Sequence, residues 1–125
     1  SVPMSKPSIM IVEDEQITAM EVQAKLEEMG YEVPTIVDNG DAALDQLEGN
    51  SVDLVLMDIR LPGGMDGIDI TEEINQRFNV PVVYVSAYSD DESLDRAKAT
   101  QPAGVLIKPI TKEDLRSSIE VALGH

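Results

Sequence analysis

Residues 54–62 read Leu54-Val55-Leu56-Met57-Asp58-Ile59-Arg60-Leu61-Pro62. Four apolar residues in succession, then a carboxylate, then a proline, describe a strand that is covered on both faces and leaves the sheet at Asp58. A strand with one wet face would alternate apolar and polar side chains instead. Two further runs share this character, Ile9-Met10-Ile11-Val12 and Val82-Val83-Tyr84-Val85, the latter opened by Pro81. Val33–Val37 is a weaker run whose Pro34 lacks an N–H to donate and so suits an edge strand. Val105-Leu106-Ile107 is the fifth.

Amphipathic stretches separate the runs. Residues 15–29 place Ala19, Val22, Leu26 and Met29 on one side and end at Gly30. Residues 41–48 carry Ala43, Leu44 and Leu47, and residues 67–78 carry Ile70, Ile74 and Phe78. Ser89 with Glu92 predicts a capping box before a helix over 90–99. Thr111 with Asp114 predicts a similar start before 112–123, where Leu115, Ile119 and Ala122 share a face. Strict βα alternation predicts a doubly wound α/β fold: a five-stranded parallel sheet with helices on both faces. Residues 8–123 are expected to form one domain. Residues 1–7 read as a disordered tail or cloning remnant, and 124–125 as a tag remnant.

In such sheets the working cleft lies beyond the carboxyl ends of the strands. Each apolar run here is followed by polar chemistry at that end: Glu13 and Asp14 after the first, Asp58 after the third, Ser86 after the fourth, Lys108 and Pro109 after the fifth. Taken singly, these are ordinary residues: acids at a helix start, an Asp in a turn, a Ser cap, a surface Lys. Taken together they would crowd three carboxylates around one ammonium, which needs further positive charge. An all-oxygen donor set without cysteine or histidine suits Mg²⁺ or Mn²⁺. A carboxylate can also attack phosphorus to form an aspartyl-phosphate, with metal and ammonium neutralising the transferring group.

Composition narrows the choice. Lys plus Arg number 9 against 24 Asp plus Glu, a net charge of −15, which repels phosphate backbones and anionic lipid. Direct nucleic-acid or membrane binding is therefore not expected. With no cysteine there is no disulfide, thiolate site or thiol nucleophile. No apolar run spans a bilayer and no signal-peptide pattern opens the chain, which agrees with a cytoplasmic protein.

The set Glu13-Asp14, Leu56-Met57-Asp58 with Pro62 four residues on, Met65-Asp66-Gly67, Ser86-Ala87 and Lys108-Pro109 resembles the receiver domains of two-component response regulators, over residues 8 to 123. The resemblance implies a flavodoxin-like strand order 2-1-3-4-5. It implies that Asp58 accepts a phosphoryl group from a phosphohistidine of a sensor kinase or phosphotransfer protein. Asp14 and Asp58 would hold Mg²⁺, with Glu13 acting directly or through water and the Arg60 carbonyl completing the protein ligands. Ser86 would sense the phosphoryl group, and Lys108 would pair with Asp58 and then with a phosphoryl oxygen. The Lys108–Pro109 bond would be cis. Such a protein is a signalling phosphoacceptor, catalysing only its own phosphorylation and dephosphorylation. Its fourth helix, fifth strand and fifth helix would dock partners or form a homodimer.

Two features depart from the pattern. Val105 stands where the family commonly has an aromatic switch residue, which moves the expected switching to the loop after Ser86, with Tyr88 as its candidate. Gly63-Gly64 adds a residue to the loop after Asp58, read as a loop variation. Arg60 and Tyr88 are both bulky and flank the expected phosphoryl group, predicting slow hydrolysis. Two rival readings remain open: an aspartyl-nucleophile phosphohydrolase, against which Arg60 stands where a second acid is expected, and a receiver-like module that is never phosphorylated. Whether the chain is free-standing, part of a larger regulator or part of a hybrid kinase is equally open.

Overall fold

The computed structural model describes residues 6–87 and 89–124. Five strands and five helices alternate: β1 (Ser8–Val12), α1 (Gln16–Glu28), β2 (Glu32–Val37), α2 (Gly40–Gly49), β3 (Leu54–Asp58), α3 (Gly67–Arg77), β4 (Val82–Ser86), α4 (Asp91–Ala99), β5 (Gly104–Ile107) and α5 (Lys112–Ala122). All pairings are parallel, in the order β2-β1-β3-β4-β5. The expected fold class and strand order are those observed.

Burial follows position in the sheet. β3 and β4 are buried throughout and β1 is buried from Ile9 onward, whereas the edge strands β2 and β5 are only partly covered. At the β2 edge, Ser8 pairs with Glu32 but Met10 with Thr35, so β2 carries an extra residue at Val33-Pro34. An edge strand tolerates both the bulge and the missing N–H of proline.

Because side chains alternate along a strand, the sheet feeds two separate apolar layers. Met10, Val12, Val55, Met57, Val82 and Tyr84 face α2, α3 and α4. Ile9, Ile11, Leu54, Leu56 and Val83 face α1 and α5. At about 25 cal/mol per Å² of apolar surface removed from water, these layers are the main stabilising term.

The helix starts differ in how well their sequences announced them. Thr111 caps α5 by accepting the Asp114 N–H at 3.1 Å, as its sequence predicted. Asp66 and Asp69 form a reciprocal capping box at α3. The Ser89 box at α4 does not form. Asp90 is the cap, its carboxylate accepting from the Ser93 N–H while its own N–H donates to Ala87 O at 3.1 Å. That turn already closes on Asp90, which leaves Ser89 one residue too early.

The remaining boundaries shift by at most one residue. The expectations placed on residues 1–5, Tyr88 and His125 lie outside the described residues.

Candidate phosphoacceptor site

Asp58 is the last residue of β3 and Ser86 the last of β4. Glu13 and Asp14 follow β1, and Lys108 follows β5. Parallel strands bring these ends to one side. The ligand oxygens of Glu13, Asp14 and Asp58 all lie within 4.8 Å of one another. Glu13 and Asp58 are buried, while Asp14 is exposed.

Local backbone geometry fixes Asp58. The Arg60 N–H donates to Asp58 Oδ1 at 3.0 Å. Ile59 N–H donates to Val85 O at 3.1 Å, and Gly67 N–H donates to Ile59 O at 2.9 Å, folding the following loop back onto the end of β3. A β-carbon at Gly67 would overlap the Asp58 carbonyl oxygen, so this close approach admits only glycine. That explains why Gly67 follows the α3 cap Asp66.

The electrostatics are those of acids short of positive charge. Burial pushes Glu13 up to about 7, opposed by the Glu15 N–H that its Oε2 accepts at 3.1 Å, with Asp58 adding to the rise. Burial likewise raises Asp58, and the neighbouring Glu13, the Arg60 N–H and Lys108 oppose the rise. Two carboxyls this close favour holding one proton between them. A divalent cation would supply the charge that the proton otherwise supplies. The donors are all oxygen and closely spaced, so they fit a hard cation such as Mg²⁺.

Lys108 departs from its expected pairing. Its Nζ lies 3.6 Å from Glu13 Oε1, the ion pair it makes, rather than pairing with Asp58. Glu13 is buried and Asp14 exposed, and the Lys108 charge still acts on Asp58 from its place beside Glu13. The Lys108–Pro109 peptide is cis. The buried Ser86 hydroxyl donates to Ala87 O at 3.3 Å, so it must rotate before it can donate to a group on Asp58. Val105 is half-buried and sits beside Tyr84 in register, on the layer that faces α4. Gly63, with φ +99°, lies in the loop after Pro62.

Two elements escaped the sequence. The Arg60 guanidinium grips Asp90 through Nε and an Nη, each at 2.9 Å. The Tyr84 hydroxyl meets Thr100 Oγ1 at 2.7 Å at the far end of α4. Both join residues well separated in the chain, where no local pattern could flag them.

Residues 9–120 match the model of the response regulator receiver domain. The transcriptional regulatory protein PdtaR of Mycobacterium tuberculosis is 34% identical over 117 residues, covering 94% of this chain and 57% of PdtaR. This chain therefore spans little more than half of that relative. The signal receiver domain of a modulated diguanylate cyclase from Desulfovibrio desulfuricans G20 superposes with a TM-score of 0.89 at 34% identity, covering 95% of this chain and 94% of that one. The receiver domain of the sensor histidine kinase PA1611 from Pseudomonas aeruginosa PAO1 was solved with magnesium coordinated in its active-site cleft. It gives a TM-score of 0.86 at 28% identity, covering 96% and 99%. A match over nearly the whole chain, on a sheet of this order with three carboxylates at its carboxyl edge, shows that the chain belongs to the response regulator receiver family.

Proposed function

We propose that Asp58 is the phosphoacceptor of this receiver domain, taking a phosphoryl group from a phosphohistidine of a sensor kinase or phosphotransfer protein. In that step an Asp58 carboxylate oxygen attacks phosphorus as the P–N bond breaks, and the departing imidazole keeps the bonding electron pair and takes up a proton. The observation that carries the reading is the convergence of Glu13, Asp14 and Asp58 at the carboxyl edge of the sheet beside Lys108. It accounts for buried acids that would otherwise be a cost without a return.

Asp14 and Asp58, Glu13 directly or through water, and the Arg60 carbonyl are the groups proposed to hold Mg²⁺, with Mn²⁺ an alternative. The bound cation would neutralise charge on the transferring phosphoryl oxygens. Lys108 would leave Glu13 for a phosphoryl oxygen, and the Ser86 hydroxyl would turn from Ala87 O to donate to another. Asp58 itself is held by the Arg60 N–H, which fixes one carboxylate oxygen and leaves the other to attack.

The unit formed by residues 8–123 is proposed to act as a switch and not as a turnover enzyme, with the α4–β5–α5 surface docking partners or a second copy. PdtaR carries a transcriptional name, so contact with nucleic acid belongs to whatever else such a protein contains. At a charge of −15 these 125 residues would repel it. Among the described residues no helix is long and apolar enough to cross a membrane.

Intact mass after incubation with Mg²⁺ and acetyl phosphate tests the proposal. Wild type should gain one phosphoryl group, while Asp58→Asn and metal-chelated wild type should gain none. Equal gain in Asp58→Asn would place the chemistry elsewhere. No gain in wild type, with a phosphohistidine donor also failing, would favour a module that is never phosphorylated.

A further inference from the structure

Arg60 has two attachments that point in different directions. Its backbone N–H donates to Asp58 Oδ1, at the reaction centre. Its guanidinium makes a two-pronged pair with Asp90, whose carboxylate begins α4. The two partners are unequally placed. The Asp90 side chain is 6% exposed, whereas that of Arg60 is 68% exposed. Hydrogen bonds from Arg60 hold the Asp90 carboxyl down at about 2. Beyond Arg60, the Asp90 carboxylate accepts from the Ser93 N–H at a long 3.4 Å. The neighbouring cation of α4, Arg96, is already held by Asp66 and Asp69 at 3.1 and 3.5 Å.

A guanidinium presents the same fork of N–H donors to a carboxylate and to a phosphoryl group. A phosphoryl group on Asp58 would bring roughly −1.5 to −2 charge, more than Asp90 offers. Arg60 is mostly in water, so moving its head group costs little desolvation. Asp90 would then lose its cation, and the turn that carries it would lose its tie to the loop after β3.

We propose that Asp90 is a positioning residue that competes with the phosphoryl group on Asp58 for the Arg60 guanidinium, so that phosphorylation exchanges the Arg60–Asp90 pair for an Arg60–phosphoryl pair and frees the first turn of α4. The inference rests on Asp58 being the phosphoacceptor, as proposed above. With Val105 beside Tyr84 in place of the family's aromatic switch, it supplies a route from the site to α4 that needs no aromatic rotation. It also bears on the lifetime of the phosphoryl group. Hydrolysis requires a water oxygen to reach phosphorus as the P–O bond to Asp58 breaks and inorganic phosphate leaves. An Arg60 head group drawn over the phosphoryl oxygens obstructs that approach, and Asp90 draws it away.

The test is a double-mutant cycle on the full chain: wild type, Asp90→Asn, Arg60→Ala and the double variant. Each is loaded with acetyl phosphate and Mg²⁺, and loss of the phosphoryl group is followed by intact mass after the donor is removed. Asparagine still caps a helix, so Asp90→Asn removes the charge and keeps the cap. Asp90→Ser serves the same purpose if the first variant fails to fold. With Arg60 present, Asp90→Asn should slow the loss about threefold or more, and in the Arg60→Ala background it should leave the rate unchanged. Equal slowing in both backgrounds would make Asp90 a structural cap alone and overturn the inference. So would no change, or faster loss, with Arg60 present. Failure of wild type to load at all would overturn the phosphoacceptor reading instead, and is separated from the other outcomes by the first mass measurement.

Discussion

α4 and α5 lie on opposite faces of one sheet, yet they are fastened by different physics. α5 buries Leu115 and Ile119 completely in the layer it shares with α1. A Lys112–Glu28 ion pair and the Lys25 ammonium on Ile110 O tie it further to α1. α4 buries Ser93 and Ala97, both small, with Leu94 partly covered. It is held at its start by Arg60 on Asp90 and along its length by Arg96 on α3. At its end it is held by the Tyr84 hydroxyl on Thr100 and by Asn75 Nδ2 on Thr100 O at 2.9 Å. Apolar burial is non-directional and indifferent to charge at Asp58. A directional polar contact can change partners. The helix that a charge at the site could release is therefore the one with polar fastenings, and the other is the frame against which it moves.

The largest expected effect tests the frame. Leu115→Ala should cost about 2–5 kcal/mol in chemical denaturation, the usual range for an emptied core leucine. A loss below about 1 kcal/mol would mean that α5 is not anchored as described.

Next in size is the site itself. In the folded state Glu13 is raised to about 7, above its ordinary 4.5, so between these values the folded protein holds a proton that the unfolded chain has released. Stability without metal should therefore be unaffected near pH 4, fall as pH rises from about 4.5 to about 7, and level off above. Glu13→Gln should remove that decline and be more stable than wild type at pH 8, by an amount on the order of 2 kcal/mol. Parallel stability curves for the two proteins from pH 4 to 8 would contradict this.

The smallest effect sharpens the account of α4. Tyr84→Phe should cost about 1 kcal/mol by removing the hydroxyl from Thr100. Amide exchange should quicken at the carboxyl end of α4 and stay unchanged in α5. Equal quickening in both helices would show that Tyr84 acts through the core and not through its hydroxyl.

Much of this architecture is legible in the chain, and the reason is local. Apolar runs of three or four, each followed by an acid, a hydroxyl or a lysine, fix both the strands and the edge where chemistry gathers, because parallel strands end together. Pro34 marks the β2 edge for a similarly local reason. What escaped the reading is non-local or degenerate. Ser89-Asp90-Asp91-Glu92 offers more than one capping residue, and the choice of Asp90 is decided by a turn to Ala87 and by Arg60, 30 residues away. The family pattern pairs Lys108 with Asp58, whereas its ammonium lies 3.6 Å from Glu13, an equally buried acid that the strand-end pattern does not rank against Asp58. Tyr84 read as one more apolar residue of β4, and nothing near it in sequence shows that its hydroxyl reaches Thr100.

Hydrogen exchange of the two helices, with and without a phosphoryl group on the protein, tests the contrast most directly. The account predicts that phosphorylation speeds exchange in the first turn of α4, around Glu92 and Ser93, while α5 around Leu115 and Ile119 exchanges as before. Protection that stays the same in α4, or that changes equally in both helices, would contradict it.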